Sequence, residues 1–452
     1  MKTTILTCMT AMILLVPMAG HAQRTDTSQK ADNTSARYRV FNLGTLGGTS
    51  SSANTINDLG WAMGIANRAG NTAGHATVWA YGLELDLGTL GGLNSAVAWP
   101  VKNNAGLIAG IAETATLNPL GESWSCSAFF PTAPTFHNCL GFVWQWGVMT
   151  PLPTLGGYNG YVAGMNNRGQ VAGWAETTVH DPTCVAPQVL QFEPVVYGPG
   201  SGKIQQLPTF PGDPDGAATD INDQGQVIGI SGTCFVAVGS FSAAHALLWQ
   251  NGNVTNLGSL GGVAWNTPVA INNRGVVVGF SDLPGDEDGN PNFHAFIWTK
   301  SSGMLDLKTL PGDAISEATG INEQGQVVGV SYGAGFSNPR AVLWQNGKIV
   351  DLNTLIPPGS SLYLLSANDI NDEGVIAGQA CVLIDGACTS NSETPAFVAV
   401  PQGDGWYFSA TESTSSQSVT SASSKVAVPE NIRRRVLQRH GLGLQAGVAT
   451  GQ

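Results

Sequence analysis

Charge is what this chain lacks most. Only 11% of its 452 residues are Asp, Glu, Lys or Arg, with 31 acids against 19 bases and a formal net charge of −12. Soluble domains average roughly 25%. So few Lys and Arg argue against nucleic acid or an anionic membrane surface as a partner of the main body, since both are bound through basic residues. Long helices are excluded by the missing 3.6-residue apolar period. No run of 18 apolar residues follows residue 22, so no membrane-spanning helix is expected there. The spacing Cys-x-x-Cys is absent, which removes the common zinc signature. What remains is 58 Gly and many short runs of Val, Ile and Ala, the composition of a turn-dense β protein.

Residues 1–22 read as a signal peptide. Lys2 gives the positive start, residues 5–16 the apolar stretch, and Gly20-His21-Ala22 a small-residue cleavage site. Cys8 lies inside the apolar stretch, without the small-residue box of a lipidation site. The expected destination is secreted, extracellular or periplasmic, with residues 23–36 a flexible N-terminal segment. Six further cysteines follow: Cys126, Cys139, Cys184, Cys234, Cys381 and Cys388. An even number in an exported chain points to disulfides. Spacing favours Cys126–Cys139 and Cys381–Cys388 as local loops, leaving Cys184–Cys234 to join neighbouring repeats. Other pairings stay open.

The dominant signal is a repeat of about 50 residues, a period that means stacked supersecondary units. Three marks count it. A Leu-rich turn begins at Leu43, Leu87, Leu152, Leu207, Leu257, Leu307 and Leu352. An Asn-x-x-Gly turn ends at Gly60, Gly106, Gly169, Gly225, Gly275, Gly325 and Gly374, and another Gly follows four residues later each time. An apolar run, usually ending in Trp, occupies 75–79, 141–144, 194–197, 245–249, 294–298, 340–344 and 395–400. Each mark occurs seven times.

One repeat holds four strand-like runs, as at 318–322, 326–331, 340–345 and 348–352. Asn322-Glu-Gln-Gly325 and Asn346-Gly347 are hairpin turns. Seven repeats of four antiparallel strands predict an all-β, seven-bladed β-propeller over residues 37–408. The Leu-rich turn becomes the crossing from one blade's outer strand to the next blade's inner strand. Residues 38–43 are then an outer strand without a blade and 395–400 a third strand without an outer neighbour. Pairing them closes the ring, with Trp406-Tyr-Phe408 as a competitor for the slot. The same phase puts the crossings and the links between second and third strands on one face. Those links, at 112–140, 176–193, 231–244, 281–292 and 380–394, carry the length variation and every cysteine after Cys8. Insertions on one face mark it as the binding face.

The phrases Asp-Leu-x-x-Leu-x-Gly, Ile-Asn-x-x-Gly-x-Val-Val-Gly and His294-Ala295-Phe296-x-Trp298 resemble the HAF-repeat family of bacterial extracellular proteins, over roughly residues 37–400. Lys102 stands where other copies have Ile or Met, and Val195-Val-Tyr197 replaces one Trp run. The resemblance implies an exported protein of propeller type. The family has no established activity, so no catalytic residue is carried over.

Several motifs invite chemistry. Gly329-Val-Ser-Tyr-Gly333 fits a nucleophile-elbow pattern, but no helix follows and Gly-x-Ser recurs at Ser231 and Ser281, so the repeat explains it. His75, His245 and His294 share one repeat position and read as a packing and hydrogen-bonding unit. Asp286, Asp288 and Asn290 alternate oxygen ligands around a Gly and are the candidate Ca²⁺ loop, although a Glu at the twelfth position is missing. Asp213-Pro-Asp215-Gly216 is a shorter echo. Trp61, Trp99, Trp124, Trp174 and Trp265 fall outside the standard Trp position. Trp124, in the longest link, and Trp174 are candidate ligand contacts, with Lys102 a candidate on the channel wall.

Past the propeller, residues 409–424 read as a Ser/Thr-rich linker and 425–452 as a basic tail with a short helix. Ile432, Val436 and Leu437 form its apolar stripe, and Arg433, Arg434, Arg435 and Arg439 its charge. The expectation is a frayed, solvated tail, with a docking helix for the cell surface or a partner as the alternative. The overall reading is a monomeric secreted binding or scaffold module whose loop-rich face meets a protein or glycan. The alternative is a polysaccharide-active hydrolase or lyase, which needs two facing carboxylates.

Overall fold

The computed structural model describes residues 37–123, 130, 134–199, 202–234, 243–285, 292–402 and 426–439. Seven four-stranded antiparallel sheets form a β-propeller. Blade 1 runs from its inner strand Gly47–Ile56 through Ala62–Arg68 and Gly74–Ala80 to the outer Leu83–Asp86. The inner strands of blades 2 to 7 are Gly91–Ala96, Gly160–Met165, Asp215–Ile221, Thr267–Ile271, Ile315–Ile321 and Leu362–Ile370. Blade 7 takes its outer strand, Tyr38–Gly44, from the other end of the chain, paired antiparallel with Ala396–Pro401. The ring therefore closes as the unpaired strands at the two ends require. Trp406-Tyr-Phe408 lies outside the described residues.

The Asn of Ile-Asn-x-x-Gly does two jobs. Asn272 Oδ1 accepts from the main-chain N–H of Arg274 and Val276, closing its own turn at 3.1 and 3.0 Å. Asn272 Nδ2 donates to Asn322 O of the next blade at 3.1 Å. The same side chain-to-carbonyl bond runs from Asn57 to Asn103, Asn166, Asn222, Asn272, Asn322, Asn371 and back to Asn57, all at 2.9–3.1 Å. A second circle sits one residue on. Side-chain oxygens of Asp58, Asn104, Asn167, Asp223, Asn273, Glu323 and Asp372 each accept the N–H of the preceding blade's equivalent residue. At about 1 kcal/mol per net hydrogen bond, the two circles hold the blades together at one face.

Both recurrent glycines follow from geometry. The turn Gly, such as Gly275, takes φ of 74°, where only Gly is unstrained. The later Gly lies flat against the inner strand: a Cβ on Gly279 would sit 2.1 Å from Thr267 O, and one on Gly64 1.8 Å from Ser52 O. The strand-three Trp packs between blades. Its indole N–H is satisfied by Pro208 O for Trp249 and by Leu307 O for Trp344. Each such buried ring contributes on the order of 2–3 kcal/mol.

The Ser/Thr-rich stretch lies outside the described residues, but the helix after it, α1 (Glu430–Arg439), does not fray into solvent. Val428, Ile432, Val436 and Leu437 are buried in one cluster with Trp265, Phe293, Tyr332 and Phe336 on the loop-rich face. Asn431 and Arg433 tie it to Ser390 O and Gly335 O. The expectation of a solvated tail is corrected: the apolar stripe finds its partner on the chain's own propeller. No helix among the described residues is long and apolar enough to cross a membrane.

Candidate functional site

The propeller axis is polar at one end and aromatic at the other. Lys102 spans it. Its stem leaves blade 2 where other blades place Ile or Met. Its ammonium donates to Ile321 O at 2.8 Å and Ile370 O at 2.9 Å and pairs with Asp369 Oδ1 at 3.0 Å. The lysine is therefore tethered across the channel to blades 6 and 7, with about a third of its side chain wetted there. Asp369 is fully enclosed and also accepts from Thr55, Ile56 and Ile370. Burial would lower Lys102, but the charge and hydrogen bond of Asp369 together with the charges of Asp220 and Asp58 outweigh it and raise the ammonium. Asp220, a second buried channel acid, is pushed up to about 7 by burial. Gly164 and Gly320 of the preceding blades make room for these two acids, since a Cβ there would come within 2.5 Å of Asp220 and 2.7 Å of Asp369. A polar cavity of about 70 Å³ lies below, lined by Lys102, Asp220 and the Asn and Asp residues of the tight turns.

At the loop-rich end half-buried Trp99 lies over the axis. With Pro100, Val269, Phe280, Asn54, Glu317, Thr319 and Asn368 it lines a cavity of about 40 Å³. The polar members are held by the neighbouring blade: Asn54 Nδ2 donates to Val97 O, Asn368 Nδ2 to Ala53 O, and Thr319 Oγ1 to Ala367 O. An aromatic wall opposite fixed amide and hydroxyl groups suits a small polar ligand with an apolar face.

Buried carboxylates frame the same face. Glu113 accepts from the N–H groups of Leu93 and Asn94. Glu176 does the same for Tyr158 and Asn159, and is pushed up to about 7 by burial and then by Glu122. Asp215 faces Asp181; burial and that neighbour push it up to about 9. Burial opposes a low value for Asp181, yet hydrogen bonds from Asp215 and Thr183 hold it down. Sequence reasoning placed the acids mainly on the tight-turn face and missed this set. Glu113 and Glu176 share one repeat position, three residues after Gly110 and Gly173, but most blades carry no acid there and Asp181 has no counterpart, so the repeat gives the set little emphasis. Asp220 and Asp369 had a signal, an Asp directly before Ile-Asn.

The motif residues separate cleanly. Ser231 Oγ donates to Asp213 at 2.5 Å, Ser331 Oγ to Asp313 at 2.7 Å and Ser281 Oγ to Asn266 at 2.7 Å. None hydrogen-bonds a histidine, although Ser231 and Ser281 lie opposite His245 and His294 in the strand pairing, and all three are buried. His75, His294 and His245 bond through Nδ1 to Asp86, Asp306 and Asp213 at 2.8, 3.1 and 2.7 Å. Arg340 takes the His position in blade 6 and meets Asp313 and Asp351. Burial would raise Asp306, but His294 and Lys308 hold it at about 2. Trp174 is 2% exposed between Tyr161 and Phe192, so it is a core ring and not a ligand contact. Trp265 is likewise core, against Phe293. Trp124, Asp286, Asp288 and Asn290 lie outside the described residues. In the shorter acidic echo, Asp213 serves His245 and Ser231 and Asp215 accepts Phe192 N–H, so its carboxylates are already engaged. Among the described residues no group of three or more His, Cys, Asp or Glu is placed to hold a metal ion.

Between described residues two disulfides are seen, and Cys139 is also disulfide-bonded. Cys184–Cys234 joins the links of blades 3 and 4, and Cys381–Cys388 closes a local loop in blade 7. Cys139 is buried on the third strand of blade 2; Cys126 lies outside the described residues.

No family model matches the chain. No curated protein matches it either. Solved structures similar to it include the β-propeller domain of the Trilobed protease from Pyrococcus furiosus, 9% identical over 80% of this chain and 99% of that one, with a TM-score of 0.47. An oligogalacturonate lyase in complex with manganese is 10% identical, over 81% and 96%, at 0.40. A puromycin hydrolase is 12% identical at 0.43, over 80% of this chain and only 53% of its own length.

Proposed function

We propose that the chain is an exported HAF-repeat protein whose loop-rich face is a binding or scaffold module for a glycan or peptide. The observation that carries this is the cavity under Trp99, where an aromatic wall meets Asn54, Asn368 and Glu317. The motif serines and histidines support it by being engaged with structural carboxylates and, for Ser281, with the Asn266 amide. The two disulfides fit an oxidising compartment. The test is a screen of purified protein against glycan and peptide arrays with parallel hydrolase and lyase assays. Binding that falls at least tenfold in Trp99→Ala supports the reading; turnover without such binding overturns it. The enzyme alternative would draw on the facing carboxyls Asp181 and Asp215. Asp215 is wholly enclosed, out of reach of a substrate bond, so this reading takes second place. Activity abolished by Asp181→Asn would promote it. We further propose Asp286, Asp288 and Asn290 as a Ca²⁺ loop: millimolar Ca²⁺ raises Tm by mass action, and Asp286→Ala loses the shift.

A further inference from the structure

The turns joining third and fourth strands open on the face opposite Trp99. Two of them are Asn251-Gly252 and Asn346-Gly347, with the Asn at φ of 52° in both. Asn tolerates this left-handed conformation, and Asn-Gly is the preferred pair for such a hairpin. Blades 1 and 2 place Tyr81 at φ 54° and Trp146 at φ 52° in the same position, each followed by Gly. A bulky ring there is strained. Neither ring repays the strain by packing into the fold, because Tyr81 is 71% and Trp146 87% exposed.

The two rings belong to one surface. Trp61 stands edge-on to Tyr81 with ring centroids 6.4 Å apart. Its indole also borders blade 2, 3.7 Å from where a Cβ on Gly106 would be. Blade 2 pairs Ile108 with Trp144, so the turns that hold Gly106 and Trp146 leave the same end of two neighbouring strands. Exposed Leu59 and Leu83 flank the rings. Among the described residues, no turn of this face in blades 3 to 7 exposes a large hydrophobic side chain. The turns at 57–61, 80–84, 103–107 and 145–148 hold no Lys or Arg; exposed Gln145 and the second carboxylate oxygen of Glu84, whose Oε1 takes the Trp79 indole, are the acceptors beside the rings.

We propose that Trp146 and Tyr81, the latter backed edge-on by half-buried Trp61, form a stacking platform for a neutral polysaccharide, independent of the site under Trp99. A sugar offers a C–H face to a ring and hydroxyl donors to amide and carboxylate oxygens. Open ring faces beside Gly82 and Gly147, with acceptors and no cations, match that chemistry and disfavour an acidic glycan. A protein partner would call for a continuous apolar core, whereas these rings stand on separate hairpins.

The experiment is electrophoresis of the full chain through gels containing xylan, glucomannan, hydroxyethylcellulose, laminarin or polygalacturonate, followed by calorimetry with matching hexasaccharides. At least one neutral polymer should retard the protein, and polygalacturonate should not. Trp146→Asn should weaken binding about tenfold, and Tyr81→Asn with Trp146→Asn should abolish it. Both variants install the residue that other blades use, so Tm should hold or rise by about 1–2 °C. Retardation unchanged in the double variant, no retardation by any neutral polymer, or loss of binding only in Trp99→Ala would each overturn the proposal. A fall in Tm on Asn substitution would show the rings to be structural and overturn it too.

Discussion

The two faces of the propeller are built by the same seven repeats and held by different means. On the tight-turn face the repeat itself supplies the bonds: two closed circles of Asn, Asp and Glu side chains join each blade to the next. On the loop-rich face no such circle exists among the described residues. There the links are held by devices present in only one or a few blades, namely Glu113 under Leu93 and Asn94 and its equivalent Glu176 under Tyr158 and Asn159, the Asp181–Asp215 pair, two disulfides and α1. A bond written into the repeat is copied seven times and survives the loss of one copy. A device present in only one or a few blades has no such reserve. The loop-rich face is thus the softer end of the ring, and its stability should answer to pH and redox state.

The largest expected effect is that of pH. Glu176, Glu193 and Asp220 are raised to about 7, and Asp215 to about 9. A carboxyl raised on folding contributes stability that is complete below its unfolded value near 4 and is lost as pH rises through the folded value. Asp306, at about 2, and Asp86 and Asp181 are lowered, so their contribution is present above the unfolded value near 4 and is lost as pH falls below it. Stability should therefore peak near pH 4–5 and decline toward pH 9, by at most about 1.4 kcal/mol per unit for each group. Urea melts from pH 5 to 9 check this, and Asp215→Asn should flatten the alkaline end. A curve flat from 5 to 9 would remove the contrast between the faces.

Reduction comes next. Cys184–Cys234 encloses 50 residues, worth about 4 kcal/mol in the chain-entropy model. The loss should be local: hydrogen exchange should quicken in the links of blades 3 and 4 while the Asn turns stay protected. Global unfolding on mild reduction would show the circles to be weaker than their number implies.

How much of this was legible depends on repetition. Blade number, strand phase, ring closure and the sorting of loops to one face all rest on marks that recur, and recurrence averages out the accidents of any one copy. The turn Gly and the later Gly were visible for the same reason, although only the structure separates their causes, positive φ in one and a carbonyl at contact distance in the other. Glu176, Asp215 and Asn159 each meet partners from other segments, and nothing in their own neighbourhood announces it. Trp174 misled because an off-position ring reads as free when its neighbours, Tyr161 and Phe192, belong to other strands. The stripe of α1 was legible, but its partner was not, because a stripe does not say which apolar surface covers it.

Lys102 tests what joins the two ends of the axis. Replacing it by Met, which one other blade carries as Met165, keeps the stem and removes the charge. Asp369 is then buried without its cation, and so is Asp220 nearby. Breaking a buried pair from one side costs about 3–5 kcal/mol, and the lower end applies because about a third of Lys102 is wetted in the channel. Adding Asp369→Asn to Lys102→Met should restore part of the loss, since an amide still accepts from Ile56 N–H and needs no counter-charge. A Lys102→Met single variant as stable as the parent would mean that the lysine fills the channel without pinning it.

The smallest effect expected is that of cutting one circle at one point. Asn272→Ala removes the bond to Asn322 O and the acceptor for Arg274 and Val276. Losing a buried partner of this kind costs about 1–3 kcal/mol, but the remaining six links and the second circle still close the ring. Chemical denaturation should show a drop of about 2 kcal/mol with an unchanged m-value, and exchange should quicken only at the turns of blades 5 and 6. Asn272→Asp separates the two jobs of the side chain: it keeps the acceptor and loses the donor, so it should fall between Ala and Asn at pH 7. If Asn272→Ala instead lowers the m-value and melts the ring in steps, the repeated bonds are a single chain with no reserve, and the tight-turn face is as breakable as the other.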